Sequence, residues 1–127
     1  MTLPPADAEF LAERGIPYES AQDGAASCLV FTDWLLPGGY LVARSDLLIR
    51  LMPGYPDLAP DMWWFSPAVS VAGQIPGTDL SETYLGRNWQ RWSRHFQPGQ
   101  WQSGVDGIES FLALISCELD RWATAAA

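Results

Sequence analysis

The sequence predicts an α+β fold in a single domain, residues 1–127: a four-stranded antiparallel meander sheet packed by an N-terminal helix and a C-terminal helix. Three observations carry this. Helical three-and-four spacing of apolar residues is strong only near the C-terminus, with a short capped segment at the N-terminus. Between them, β-branched and aromatic runs alternate in the strand sense. Those runs are separated by Asp-Gly, Pro-Gly-Gly and Pro-Gly, residues that turn a chain.

In order, "PPADAEFLAERGI" reads as the first helix. Pro4 and Pro5 suit its opening turn, Gly15 and Pro17 close it, and Phe10 and Leu11 face inward. "PYESAQDGAASCLVFTDWLLP" reads as a hairpin turning at Asp23-Gly24, because both positions tolerate positive φ. "LPGGY" is a loop. "RSDLLIRLM" is the clearest strand, with Leu47, Ile49 and Leu51 on one face and Leu48, Arg50 and Met52 on the other. "PGYPDLAP" is a proline-stiffened loop, and "DMWWFSPAV" a fourth strand cut by Pro67. Residues 70–103 show little periodicity and read as a long irregular loop, a feature that in a small domain usually carries function. Val105 to Trp122 closes the chain as an amphipathic helix whose stripe is Ile108, Phe111, Leu112, Ile115, Leu119 and Trp122. Cys117 falls on its solvent side.

Composition removes several function classes. Hydrophobic residues make up 48% and charged residues 17%, which excludes a disordered chain. The formal charge of −8 argues against nucleic-acid binding, which depends on clustered cations. Apolar runs such as "CLVF" and "FLALI" are too short to span a membrane, and "MTLPPADAEF" lacks the features of a signal peptide, so a cytoplasmic protein is expected. Two cysteines and one histidine make neither a disulfide framework nor a usual zinc site, so no metal or cofactor is expected. All seven basic residues are arginine and none is lysine. Arginine-favouring codon usage explains this simply. Resistance to self-modification by lysine-directed electrophiles is the alternative.

The element order, with "YPDLAPDMWWF" between the third and fourth strands, resembles the ubiquitin-conjugating-enzyme (UBC) fold. That family carries Tyr-Pro-x-x-Pro-Pro ahead of an apolar strand; here Tyr55, Pro56 and Pro60 match, with Ala59 in place of one proline. "WQSGVDGIESFLALI" is similar to the family's junction of a tryptophan, here Trp101, with the following helix, with one extra residue. "MPGYPDLAPDMWWF", "RNWQRWSRHF" and "GVDGIESFLALI" together resemble a bacterial branch of the superfamily, found in bacterial ubiquitin-like conjugation operons. The resemblance implies a UBC-like domain whose partners are a ubiquitin-like protein and a ubiquitin-activating-enzyme-like protein. It also implies a deubiquitinase-like metalloprotease from the same operon.

The departure from that pattern is chemical. A conjugating enzyme accepts an acyl group on a cysteine, whose sulfur is nucleophilic and partly ionised at neutral pH. Counting back from Trp101 by the family's usual interval reaches the neighbourhood of Ser93, and no cysteine lies between Cys28 and Cys117. The family's His-Pro-Asn motif is also absent. Three readings follow. Ser93 accepts the acyl group as an oxyester, with His95 as general base and Asn88 stabilising the oxyanion. His95 itself carries the acyl group or acts as acid and base. Or the chain is a catalytically inactive adaptor for a ubiquitin-like protein or its activating enzyme. Against all three stands a plainer possibility: Trp89, Trp92 and His95 form an amphipathic turn that plugs the sheet.

Arg87, Arg91 and Arg94 share one face if the segment is helical. With Trp89 and Trp92 they are candidates for partner binding, since planar guanidinium groups suit an acidic surface or a carboxyl terminus. The alternative is surface pairing with local acids such as Glu82 and Asp79. The contrast with the acidic chain favours docking.

Overall fold

A computed structural model describes residues 3–71, 80–94 and 96–125. The chain runs from α1 (Pro5–Glu13) through β1 (Glu19–Asp23), β2 (Ala26–Leu35), β3 (Arg44–Leu51), β4 (Met62–Ser66), β5 (Ser81–Tyr84) and β6 (Arg87–Ser93) to α2 (Ile108–Ala125). The α+β class and both terminal helices match expectation. Among the described residues the sheet has six strands, in the order β1-β2-β3-β4-β6-β5, where four were expected.

The two extra strands are the β5–β6 hairpin, formed where an irregular loop is expected. It turns on Leu85 (φ 53) and Gly86 (φ 75), between the paired Tyr84 and Arg87. Two successive left-handed residues are what a type I′ hairpin turn requires. Leucine rarely adopts that conformation, so "YLGR" carries only half of the usual turn signal. The first hairpin forms as expected but turns one residue later, on Gly24 and Ala25, because Asp23 pairs with Ala26. Gly24 at φ 61 holds the first central position, where a side chain would be strained.

Both faces of the sheet are apolar. The inner face packs Leu29, Phe31, Leu47, Ile49, Trp63, Phe65 and Trp92 against Leu11 of α1 and Ile108, Phe111, Ile115 and Leu119 of α2. The outer face carries a second buried cluster, Cys28, Leu48, Trp64 and Trp89, edged by Val30, Met62 and Tyr84. Tyr84 on edge strand β5 reaches Trp64 on β4, with ring centroids 5.4 Å apart, and its ring also lies 4.0 Å from the Arg50 guanidinium of β3. The sheet therefore curls over its outer face. Residues of β3 and β4 buried on both sides explain the nearly unbroken apolar runs in "DLLIRL" and "MWWF".

A polar tie fixes the helices. Asp7 is buried on α1; its Oδ1 accepts the Ile108 backbone N–H at 3.0 Å and its Oδ2 accepts the Tyr55 hydroxyl at 2.6 Å. One carboxylate thus caps α2 from another helix and anchors the proline loop, satisfying an end-of-helix donor that lacks a partner within its own helix. α2 starts at Ile108 rather than Val105, which is exposed ahead of the helix. Within that lead-in, Asp106 accepts from Gln102 N–H at 2.6 Å and from the Ser110 hydroxyl at 2.8 Å. These bonds, the backbone one foremost, hold its carboxyl below the usual range.

Candidate functional site

The residues singled out from "NWQRWSRHF" lie mostly on strand β6, and the strand decides what each can do. Side chains on a strand alternate between faces. Arg87, Trp89, Arg91 and Ser93 face outward, whereas Asn88, Gln90 and Trp92 take the other side. The shared arginine face expected of a helix is therefore not formed. Arg87 and Arg91 lie on the outer face, while Arg94 lies beyond the strand and pairs with Glu118 of α2.

Trp89 and Trp92 are each 1% exposed. Trp92 stacks on Trp63 with centroids 6.0 Å apart and meets Phe65 edge-on, while the Trp89 indole N–H donates to the Tyr84 carbonyl at 2.9 Å. As partner-binding residues both are corrected: opposite pleat directions send one into each core cluster, leaving no surface to offer. Gln90 beside them is a buried amide that sequence reading passed over. Its Oε1 accepts from Val69 N–H (2.9 Å) and from the Trp92 indole N–H (3.0 Å), and its Nε2 donates to the Val69 carbonyl (3.1 Å). A polar residue between two tryptophans is the only trace this leaves in the sequence.

Two of the three arginines, although exposed, are paired within the chain. Arg87 bonds Asp46 at 2.9 Å and the Ser66 carbonyl at 3.1 Å, with its guanidinium 4.4 Å from the Trp89 ring centre. Arg94 bonds Glu118 at 3.1 Å, and Glu118, itself buried, also receives Arg121 at 2.9 Å. Arg91 has a looser partner, Glu82, at 3.6 Å. Pairing with local acids thus accounts for Arg87 and Arg94. Asp79, offered as another such acid, lies outside the described residues.

Ser93 is exposed at the end of β6, paired across the sheet with Met62 of β4. Asn88 is exposed at the far end of the same strand, where its Oδ1 accepts the Thr83 hydroxyl at 2.9 Å. Five residue steps along the strand separate the two by roughly 16 Å, on opposite faces. The fold does not bring Asn88 to Ser93. His95 lies outside the described residues.

The thiols are elsewhere. Cys28 is fully buried in β2 against the outer face, and burial pushes its pKa up, with Arg50 opposing that only in part. Cys117 is exposed on α2. Among the described residues no group of three or more His, Cys, Asp and Glu is placed to hold a metal ion. No described helix is long and apolar enough to cross a membrane.

The motif residues converge behind β6. The Trp101 indole N–H donates to the Pro56 carbonyl at 2.9 Å, its ring lies 6.3 Å from that of Tyr55, and Phe96 meets it edge-on at 5.2 Å. Tyr55 is buried and its pKa is pushed far up, first by burial and then by Asp7. Both are therefore scaffold: Tyr55 stays a protonated hydrogen-bond donor, and Trp101 pins the segment after Ser93 to the proline loop. Pro60 lies half-buried at the end of that loop, just ahead of β4.

No curated protein and no solved structure matches the chain. The family model described as Prokaryotic E2 family E matches residues 3–122, which takes in α1, the described sheet, the Tyr55–Trp101 junction and most of α2. The chain belongs to prokaryotic E2 family E, a family of conjugating-enzyme-like (UBC-like) proteins.

Proposed function

We propose that this protein accepts the C-terminal acyl group of a ubiquitin-like protein on Ser93, as an oxyester intermediate of a bacterial conjugation pathway. The observation that carries the reading is the position of Ser93. It is exposed at the end of β6, ahead of the Trp101 junction, and counting back from Trp101 by the interval of the resembled pattern leads to its neighbourhood. Neither thiol competes there, since Cys28 is buried in the sheet and Cys117 belongs to α2.

In the proposed step the Ser93 Oγ attacks the carbonyl carbon of a thioester on the activating enzyme. The C–O bond forms, the C–S bond breaks, the thiolate leaves, and the serine proton passes to His95 as general base. The partners are the ubiquitin-like protein and an activating enzyme, in the cytoplasm where activation consumes ATP. A deubiquitinase-like metalloprotease would reverse the modification.

The test is to incubate the chain with its activating enzyme, ubiquitin-like protein and ATP. The expected adduct survives reducing agent, is cleaved by hydroxylamine and is absent in Ser93→Ala. His95→Ala is expected to abolish transfer as well. An adduct mapped to Cys117 would refute the serine assignment.

A second reading, a non-covalent adaptor, is favoured by one observation: Asn88, the amide cast as oxyanion donor, is bound to Thr83 far from Ser93. Saturable binding of the ubiquitin-like protein without any adduct would establish that reading instead.

A further inference from the structure

The curl of the sheet leaves a cleft of about 370 Å³ on the outer face, between the β5–β6 hairpin and the 53–61 loop. Its size falls within the range of small-molecule sites. Trp64 and Tyr84 supply aromatic walls, Leu58 and Met62 apolar ones, and Arg50 and Arg91 bring two guanidinium groups to it. Cys28, Ser93 and Asn88 are not part of the lining.

The two arginines set the chemistry. Arg91 makes no side-chain hydrogen bond among the described residues: Glu82 at 3.6 Å is too distant for one. Its side chain is 26% exposed, and its Nε is buried without a partner. Arg50 is more fully engaged: its Nε is buried, but its guanidinium bonds Asp23 at 3.2 Å and lies 4.0 Å from the Tyr84 ring centre. The buried Nε atoms offer no surface to a ligand, so the group that can take an acceptor from outside is the part-exposed end of Arg91, which Glu82 meets only loosely. The planar fork of arginine is matched by a carboxylate.

The opposing charges limit the ligand to one negative group. Glu82, fixed by the Trp64 indole N–H at 2.8 Å, and Asp61 also line the cleft, so its formal charge is balanced. A dianion such as phosphate would meet both carboxylates, while a single carboxylate seated on Arg91 avoids most of that repulsion. The aromatic and aliphatic walls then select an apolar body. We propose that this cleft binds a small monocarboxylic acid bearing an aromatic or branched apolar group, with Arg91 as the carboxylate anchor. The proposal stands apart from Ser93 chemistry and does not depend on it.

The test follows the Trp64 indole N–H by NMR, assigned with Trp64→Phe, while the full chain is titrated with 3-phenylpropionate. A saturable shift is expected, weakened about tenfold or more in Arg91→Gln, as loss of a charge-assisted bond implies. Arg91→Lys keeps the charge but not the fork and should fall between. 3-Phenylpropionamide and inorganic phosphate are expected not to compete. A peptide ending in a free phenylalanine carboxylate serves as a second arm. Binding of that peptide without binding of the small acid would overturn the small-molecule assignment. No saturable shift at millimolar acid, equal binding of acid and amide, or unchanged binding by a folded Arg91→Gln would overturn the proposal altogether.

Discussion

Tyr55 donates its hydroxyl hydrogen to Asp7 at 2.6 Å, across 48 residues, and the same carboxylate receives the first N–H of α2. That one side chain joins the N-terminal helix, the proline loop and the C-terminal helix. Asp7→Ala removes a helix cap and strands a buried hydroxyl, and is expected to cost about 3 kcal/mol. Tyr55→Phe leaves the cap in place and should cost about 1 kcal/mol. Urea denaturation of both variants checks the order; equal losses would show that the hydroxyl, not the cap, dominates.

Gly107 sits against this tie. A Cβ built there would lie 2.4 Å from Asp7 Oδ1 and 3.5 Å from the Tyr55 hydroxyl. Gly107→Ala should therefore destabilise by about 2 kcal/mol through overpacking. Combined with Asp7→Ala, the second cost should largely vanish, because the atom it strikes is gone. A strictly additive double mutant would contradict the contact.

The aromatic residues of β6 are structural. Trp92→Ala should cost about 3–5 kcal/mol, as for other large buried aromatics. Gln90→Leu should cost about 3 kcal/mol by leaving Val69 and Trp92 without partners. Ser93→Ala, at an exposed strand end, should stay within about 0.5 kcal/mol. Thermal melts of the three separate scaffold from candidate nucleophile: a large loss for Ser93→Ala would assign it to the scaffold.

Tyr40 predicts the behaviour in base. Its hydroxyl donates to the Leu119 carbonyl at 2.9 Å, and burial, aided by Asp120 and Glu118, pushes its pKa up to about 12. A raised folded value means that its contribution is fully present below the ordinary tyrosine value near 10 and is lost as pH rises through about 12. Denaturation midpoints measured from pH 9 to 12 should fall, and less steeply in Tyr40→Phe. Identical slopes would remove Tyr40 as the cause.

Legibility in the sequence tracked how local each cause is. The terminal helices, the first hairpin, β3 and β4 were readable because capping, turn residues and apolar alternation act within a few residues. The β5–β6 hairpin was not, because its turn places Leu85 in a conformation that only the completed pairing enforces. Reading "NWQRWSR" at helical spacing instead of strand alternation also mispredicted which arginines share a face. The family was legible, since Tyr55, Pro56, Pro60 and Trp101 stand in the order of the resembled motif and the family model matches residues 3–122.

By itself, then, the sequence determined the α+β class, the family pattern and the lack of any cysteine between Cys28 and Cys117. Each is a property of residue identity or short-range spacing. The tertiary structure alone decided that Trp89 and Trp92 are core, that Arg87 and Arg94 are paired internally, and that Asn88 is remote from Ser93. It also decided that Arg50, Arg91, Trp64 and Tyr84 meet around one cleft. These relationships depend on strand register and sheet curl. Both are set by pairing between residues distant along the chain, and no local pattern encodes them.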